Sequence, residues 1–178
     1  MIREPFGTGA GQTLNVGTIG SYGTVAEYGD GTFHRTVISL SGALPAIAGG
    51  ANLAVGRLIY TFPAGNIRVL SACFKSVAIK QTQGNITADT PDMGLGTVIA
   101  SGAVATLDGT ATFENTLTGQ TMADCNGTGK IAAVASTTTI ISTAAHTVYL
   151  NVADGWAASG DAAAAISGDV IITWEYLG

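Results

Sequence analysis

The sequence predicts an all-β protein: a single antiparallel β-sandwich of about eight strands, jelly-roll-like, with an extended N-terminal arm. Charged residues make up 11% of the chain, and 25 of its 178 residues are glycine, a composition that favours strands and turns over helices. Apolar residues recur with period two in several segments. Long glycine-rich connections separate these segments, which favours a jelly roll, and no paired-Cys and Trp pattern supports an immunoglobulin-like sandwich.

Residues 1–32 are interpreted as the arm, and residues 33–178 as the sandwich domain. Glycines are frequent in the arm and no periodicity is sustained, but apolar and aromatic residues are spaced through it. This spacing predicts a segment that lies extended against a partner and orders on binding; the alternative is a frayed terminus. The candidate contact residues are Arg3, Phe6, Leu14, Val16, Ile19, Tyr22 and Tyr28.

The first half of the sandwich domain contains three predicted strands. Alternation begins at 33–40, and a second strand covers 53–62 before Pro63 and Gly65 turn the chain. The third strand, 66–81, is longer than usual. We therefore expect a bulge or bend in it near 71–75.

The middle of the chain is less regular. Strands are predicted at 92–100 and, as a short element, at 102–107. Residues 111–127 are rich in threonine, which argues for a loop. Two further short strands are predicted at 130–135 and 137–142.

Two strong strand signals close the chain. Residues 146–152 alternate, which indicates a half-buried strand. Residues 169–177 carry apolar side chains on both faces near their start and end in aromatic residues. This pattern predicts a central strand, with Trp174 and Tyr176 directed into the core or a subunit contact.

The distribution of charge and hydropathy indicates a docking protein. Residues 1–80 carry six basic and three acidic residues, net +3, whereas residues 81–178 carry one and nine, net −8. A molecule with one basic part and one acidic part suits docking onto a large assembly. The alternative is that strands from both halves interleave and cancel this charge asymmetry. The mean hydropathy is positive, so we expect another chain to cover some apolar surface. Basic residues are not clustered, so nucleic-acid binding is not expected.

The N-terminal residues do not form a secretory signal, since a charge pair and a proline stand where an apolar segment is needed. No apolar run approaches the length of a membrane span. The chain is therefore expected to fold in a cytoplasm, without a membrane partner. Cys73 and Cys125 are expected to be reduced there.

No catalytic constellation emerges from the sequence. His34 and His146 have no zinc-ligand spacing. Residues 124–131 lack the first glycine and the final Ser or Thr of a phosphate-binding loop. The acidic loop residues form no pair suited to glycoside hydrolysis and no calcium-ligand ladder. We expect no enzymatic activity, no metal and no cofactor.

Several short segments of the sequence resemble segments of the decoration, or cement, proteins on the heads of tailed bacteriophages. The similarity covers about residues 29–178 and has no chemically diagnostic motif. The segments are Gly29-Asp-Gly-Thr-Phe-His-Arg-Thr36, Tyr60-Thr-Phe-Pro-Ala-Gly65, Met93-Gly-Leu-Gly-Thr97, Thr147-Val-Tyr-Leu-Asn-Val-Ala-Asp154 and Trp174-Glu-Tyr-Leu-Gly178.

The resemblance implies a jelly-roll-like body that assembles as a homotrimer on the capsid surface and stabilises the shell after expansion. The implied partners are the major capsid protein and the chain itself. The implied location is the virion, after synthesis in the host cytoplasm. No catalytic residue is carried over.

A carbohydrate- or receptor-binding module of a phage tail or cell surface is the alternative function. Its stacking platforms would be Tyr149, Trp156 or Trp174. Trp156 is the better candidate because it lies in a predicted loop, whereas Trp174 is expected in the core.

Overall fold

The computed structural model describes residues 17–20, 22–46, 54–81, 86–101, 107, 112–141, 147–153, 156 and 164–178, with backbone alone for 136–141. Ten β-strands and no helix occur in these ranges. The strands are β1 (Thr18–Ile19), β2 (Gly23–Gly29), β3 (Phe33–Ala43), β4 (Val55–Thr61), β5 (Ile67–Lys80), β6 (Asp92–Gly96), β7 (Leu117–Thr121), β8 (Ile131–Ile141), β9 (Thr147–Ala153) and β10 (Ala165–Tyr176).

The strands form two antiparallel sheets of five strands each, which confirms the predicted β-sandwich. Sheet A has the order β1-β4-β9-β6-β7, and sheet B has the order β2-β3-β10-β5-β8. Strands β3 to β10 pair as a nested set, β3 with β10, β4 with β9, β5 with β8 and β6 with β7. A long antiparallel hairpin rolled in this way is a jelly roll.

Strand β10 is central, as the sequence predicts. It pairs with β3 from Ala165 to Glu175 and with β5 from Ala165 to Tyr176. Its core side includes Val170, Ile172 and Trp174, all fully buried. Burial of these side chains contributes to the hydrophobic driving force that holds sheet B against sheet A.

The long strand β5 is bent at two positions, one on each side of the predicted segment 71–75. Leu70 is an extra residue opposite the Thr173–Trp174 step of β10. Ser76 has a φ of 55° and lies at a second register shift, opposite Gly168. The bulges let a strand of 14 residues follow the curvature of the sandwich.

Several element boundaries differ from the prediction. Residues 18–19 and 23–29, assigned to the arm, form β1 and β2, which pair with β4 and β3. Strand β6 ends at Gly96, before the predicted end at residue 100. Segment 111–127, predicted as mostly loop, contains one strand, β7, which pairs with β6. The two short strands at 130–135 and 137–142 are one strand, β8, because β5 supplies backbone partners along its length. Strand β10 begins four residues before 169, where it pairs with Ala43.

Residues 102–106 of the short strand predicted at 102–107 lie outside the described residues, and Leu107 is not in a strand. Leu107 belongs instead to a small apolar cluster with Ala54, Ala100 and Ala153, against which Phe113 packs. The main core is a separate cluster that fills the space between the sheets.

Candidate interaction surface

The outer face of sheet A is covered by the connection between β6 and β7. Asn151 lies between two core residues of β9, so its side chain points away from the main core. Its amide nitrogen donates to the carbonyl oxygens of Val98 (2.9 Å) and Phe113 (2.7 Å), and its oxygen accepts from the Ala100 N–H (2.9 Å). One side chain therefore holds two parts of this connection on the sheet.

Glycines allow the connection to approach so closely. A Cβ on Gly96 would lie 2.2 Å from the carbonyl carbon of Phe113, and one on Gly56 would lie 2.7 Å from Ile99 Cγ1. Any side chain at these positions would push the connection off the sheet. The described part of the connection thus covers the outer side of sheet A around Asn151, and a pocket of about 420 Å³ remains open beside Gly56, Ile99 and Ala100.

The outer face of sheet B has a different character, because an apolar row crosses all five of its strands. The register aligns Ala26 with Val37, Val37 with Ile171, Ile171 with Cys73 and Cys73 with Val134. Val134 is 75% exposed, and the other four side chains are half-buried between their neighbours. In the part of the chain that the structure describes, we find no segment laid over this apolar row.

Polar rows border the apolar row on both sides. On one side the Asp169 carboxylate accepts from Ser39 Oγ at 2.8 Å and lies 3.6 Å from Lys75 Nζ. Read from β2 towards β5, the first polar row is Thr24, Ser39, Asp169 and Lys75. The second polar row, on the other side of the apolar row, is Tyr28, Arg35, Thr173 and Ser71. An apolar centre with a polar rim is the usual anatomy of a protein–protein contact.

A pocket of about 320 Å³ opens at the β2–β3 end of this face. Its lining includes Tyr28, Phe33, Arg35 and Thr173. Phe33 is 53% exposed, and the Arg35 guanidinium lies 5.7 Å from the centre of the Tyr28 ring, within cation–π range. Aromatic and arginine side chains are the types most often found at the energetic centre of protein interfaces.

Asp30 fixes the turn beside the pocket. Its Oδ1 accepts from the N–H groups of Phe33 (3.0 Å) and Thr32 (3.1 Å). These two hydrogen bonds lower the pKa of the Asp30 carboxyl from its usual value. The carboxylate is thus committed to the turn.

A buried polar network connects the two sheets inside the core. The Tyr60 hydroxyl donates to the Glu27 carboxylate and accepts from the Gly17 N–H at 3.0 Å. Thr36 Oγ1 donates to the same carboxylate at 3.3 Å and accepts from Trp174 Nε1 at 2.8 Å. Burial, and then the charge of Glu27, raise the pKa of Tyr60 above its usual range.

His34 adds an imidazole to this network. Its ring stacks on Trp174 with 3.9 Å between centres, and its Nδ1 lies 3.7 Å from Glu27 Oε2. His34 Nε2 and Glu27 Oε2 have no hydrogen-bond partner among the described residues. Since the groups are buried between the sheets, we interpret the network as a structural link that fixes β1 and β2 to the core.

The predicted arm residues are distributed over several places. Ile19 packs against the main core, and the ring of Tyr22 lies 4.2 Å from the Arg57 guanidinium, so neither contributes to the apolar row. Tyr28 does reach the open face of sheet B. The remaining candidates, Arg3, Phe6, Leu14 and Val16, lie outside the described residues.

Neither tryptophan of the alternative function offers an open stacking platform. Trp156 is 8% exposed and belongs to the main core, Trp174 is fully buried and Tyr149 is half-buried. Base or sugar stacking requires an accessible ring face. The structure thus places Trp156, the preferred candidate, in the core.

Within the described ranges no three His, Cys, Asp or Glu side chains converge as metal ligands do. Of the acidic loop residues considered from the sequence, Asp154 and Asp161 lie outside these ranges, whereas Asp169 contacts Ser39 and Lys75. The described residues contain no helix with the length and hydrophobicity that are needed to span a membrane.

Comparison with known proteins gives little. No protein-family model and no curated protein matches the chain. A chain of a solved structure, the cyanophage Pam1 capsid asymmetric unit, is 16% identical, and the match covers 97% of this chain and 99% of that chain with a TM-score of 0.35. A TM-score this low supports no conclusion about fold or function.

Sequence reasoning did not find the apolar row. Its five members come from five strands, and the strand order that brings them together depends on long-range pairing. One signal of an apolar outer face was present in the sequence. Residues 169–177 carry apolar side chains on both faces of the strand, and Ile171 is an apolar residue on the outward face. The outward Val37 in β3 is a second break in the expected alternation.

Proposed function

We propose that this protein is a structural component of a tailed-phage virion, without catalytic activity, that binds the outer surface of the capsid as an oligomer. The observation that carries the proposal is the asymmetry of the sandwich. One outer face is partly covered by the chain's own connection, and the other presents an apolar row with a polar rim and an aromatic pocket. A jelly roll built in this way is suited to docking on protein.

The sequence resemblance to decoration proteins supports a phage capsid as the assembly to which this protein binds. The resemblance implies a homotrimer and a role in stabilising the expanded capsid shell. Several copies that each make modest contacts bind strongly when they are linked, because the later contacts form at high effective concentration. The low charge content of 11% is in keeping with a protein whose surface is shared with neighbours.

In this proposal the residues before Gly17 contact the major capsid protein. Gly17 itself is held to the body by its hydrogen bond to Tyr60, and β1 pairs with β4 through Thr18 and Ile19. A segment that starts from this fixed point can lie across neighbouring capsid subunits while the body stays folded.

The test is a capsid-binding assay with the full chain and a variant that lacks residues 2–16. Purified protein is mixed with expanded capsids of the parent phage, and occupancy is measured after sedimentation and by cryo-electron microscopy. We expect the full chain to bind and to raise the temperature at which capsids release DNA. The truncated variant should bind at least tenfold more weakly.

Two results would count against the proposal. Absence of the full chain from purified virions and from saturated capsids would refute the virion role. Equal occupancy by the full chain and the truncated variant would refute the role of the N-terminal segment, and would assign the capsid contact to the folded body.

A further inference from the structure

We propose that the apolar row of sheet B is a contact between two copies of this chain, related by a two-fold axis that runs along the row. This contact is a specific self-association surface, and its two-fold symmetry replaces the three-fold symmetry of the homotrimer that the sequence resemblance implies. It does not depend on the virion role, because it is a property of the purified protein.

The geometry of the row suits this symmetry. A two-fold axis along the row lays each strand of sheet B antiparallel over the same strand of the second copy, so apolar residues meet apolar residues. Ile171, in the central strand, then packs at the middle of the contact. Such an interface is isologous, since one patch meets itself, and resembles the face-to-face packing of two sheets in a sandwich.

The charges of the two polar rows are complementary under the same rotation. The axis exchanges the rows, so Arg35 of one copy lies above Ser39 and its neighbour Asp169 of the other. Asp169 already accepts from Ser39 and faces Lys75. The Arg35 guanidinium contacts the Tyr28 ring and has no ion pair among the described residues, so it is available to the second copy twice per dimer.

The area of the face is sufficient for a stable dimer. Five strands about 4.8 Å apart span roughly 24 Å, and strands of the length of β3 rise roughly 36 Å, so the face covers roughly 850 Å². A standard protein interface buries about 800 Å² on each partner. A second copy presents a face of the same width and polarity.

The first experiment measures mass in solution. Sedimentation velocity of the full chain at micromolar concentration should show a dimer or a higher even-numbered species. Ile171→Lys and Val134→Lys should each shift the population to monomer, with dissociation constants raised at least 100-fold. Val134 is 75% exposed, so its substitution tests the contact with little risk to folding.

Val98→Lys is the matched control. Val98 is also exposed, at 43%, but it lies on the connection that covers sheet A. This variant should keep the mass of the unmodified chain. A monomeric or trimeric full chain would overturn the inference, as would Ile171→Lys and Val134→Lys variants that remain dimeric while folded by circular dichroism.

The second experiment uses the cysteine in the apolar row. Because each strand lies over itself, Cys73 of one copy faces Cys73 of the other across a sheet spacing of about 10 Å. The contact therefore buries both Cys73 thiols. We expect a monofunctional maleimide to label Cys73 at least tenfold more slowly in the dimer than in the monomer that dilution produces.

Cys125 provides the control for this labelling. It is fully buried, and burial, together with the charges of Asp89 and Asp124, raises its pKa to about 12, so it is a poor nucleophile. The labelling should disappear in Cys73→Ser and keep its rate in Cys125→Ala. Equal labelling rates of Cys73 in the concentrated and the diluted protein would overturn the inference. A monomer that still saturates capsids would overturn it and leave the virion role intact.

Discussion

Tyr60 is the residue through which the two sheets share a hydrogen-bond network. It stands on β4 in sheet A, donates to Glu27 on β2 in sheet B and accepts from the Gly17 backbone. Tyr60→Phe removes both hydrogen bonds and leaves buried polar groups without these partners. We expect a loss of about 1–3 kcal/mol in the free energy of unfolding, measured by urea denaturation.

Tyr28→Phe is the control for this prediction, because the Tyr28 hydroxyl has no hydrogen bond among the described residues and its ring lies at the surface. We expect its free energy of unfolding to change by less than about 0.5 kcal/mol. If Tyr60→Phe and Tyr28→Phe had the same free energy of unfolding, the hydrogen-bond network would not stabilise the packing of the two sheets.

The raised pKa of Tyr60 also predicts loss of stability in alkali. In the unfolded chain a tyrosine ionises near pH 10, whereas burial and the charge of Glu27 keep folded Tyr60 protonated to a higher pH. The stabilisation is therefore fully present below about pH 10 and is lost as the pH rises above it, because the unfolded state then binds fewer protons.

The measurement is the free energy of unfolding between about pH 8 and 11, compared with Tyr60→Phe. Both proteins carry Cys125→Ala, because the raised pKa of Cys125 adds an alkaline loss of its own. Tyr60→Phe should show the smaller decline above pH 10. Parallel declines would show that Tyr60 ionises as readily in the folded chain as in the unfolded one.

At the scale of a single element, the bulge between β5 and β10 requires a glycine. Gly168 has a φ of 99°, and a Cβ there would lie 2.4 Å from the Ser76 carbonyl oxygen. Gly168→Ala should therefore lower the free energy of unfolding by about 1–3 kcal/mol, with a corresponding fall in Tm. Ser167→Ala, at the exposed neighbouring position, is the control and should change little. Equal Tm values for the two variants would mean that the bulge relaxes without cost.

Strand β2 shows why some elements escape prediction from the sequence. Its inward side chains are Val25 and Glu27, and a hydrophobic pattern does not place an acidic residue in a core. The carboxylate is acceptable there because Tyr60 and Thr36 donate to it, and these donors come from β4 and β3. Period-two alternation therefore identified β3, β5 and β9, whereas β2 depends on partners distant in the sequence.

At the scale of the whole molecule, the fold class could be predicted but the strand order could not. The pairs β3 with β10 and β4 with β9 join residues that are far apart in the chain, and no local pattern encodes such pairing. The apolar row could not be predicted for the same reason, because its five residues become neighbours only through the strand order of sheet B. The outward Val37 and Ile171 indicated a covered face, and the register was needed to show that they are aligned.

The boundary between arm and body is testable on the whole chain. A deletion of residues 2–16 leaves β1 and β2 in place, so its free energy of unfolding should match that of the full chain within about 0.5 kcal/mol. A deletion of residues 2–28 removes β1 and nearly all of β2. It takes away the Glu27 carboxylate and opens the edge of β3 along six of the seven paired positions.

Loss of β2 exposes a long hydrogen-bonding edge and part of the core, and both changes favour aggregation as well as unfolding. We therefore expect the longer deletion to lose several kcal/mol of stability, or to be recovered as aggregate, in urea titrations and light scattering. Equal stability of the two deletion variants would place the boundary near residue 32, and would mean that β1 and β2 dock on a body that folds without them. In that case the hydrogen bonds that join Gly17, Tyr60 and Glu27 would hold the arm to the sandwich rather than hold the sandwich together.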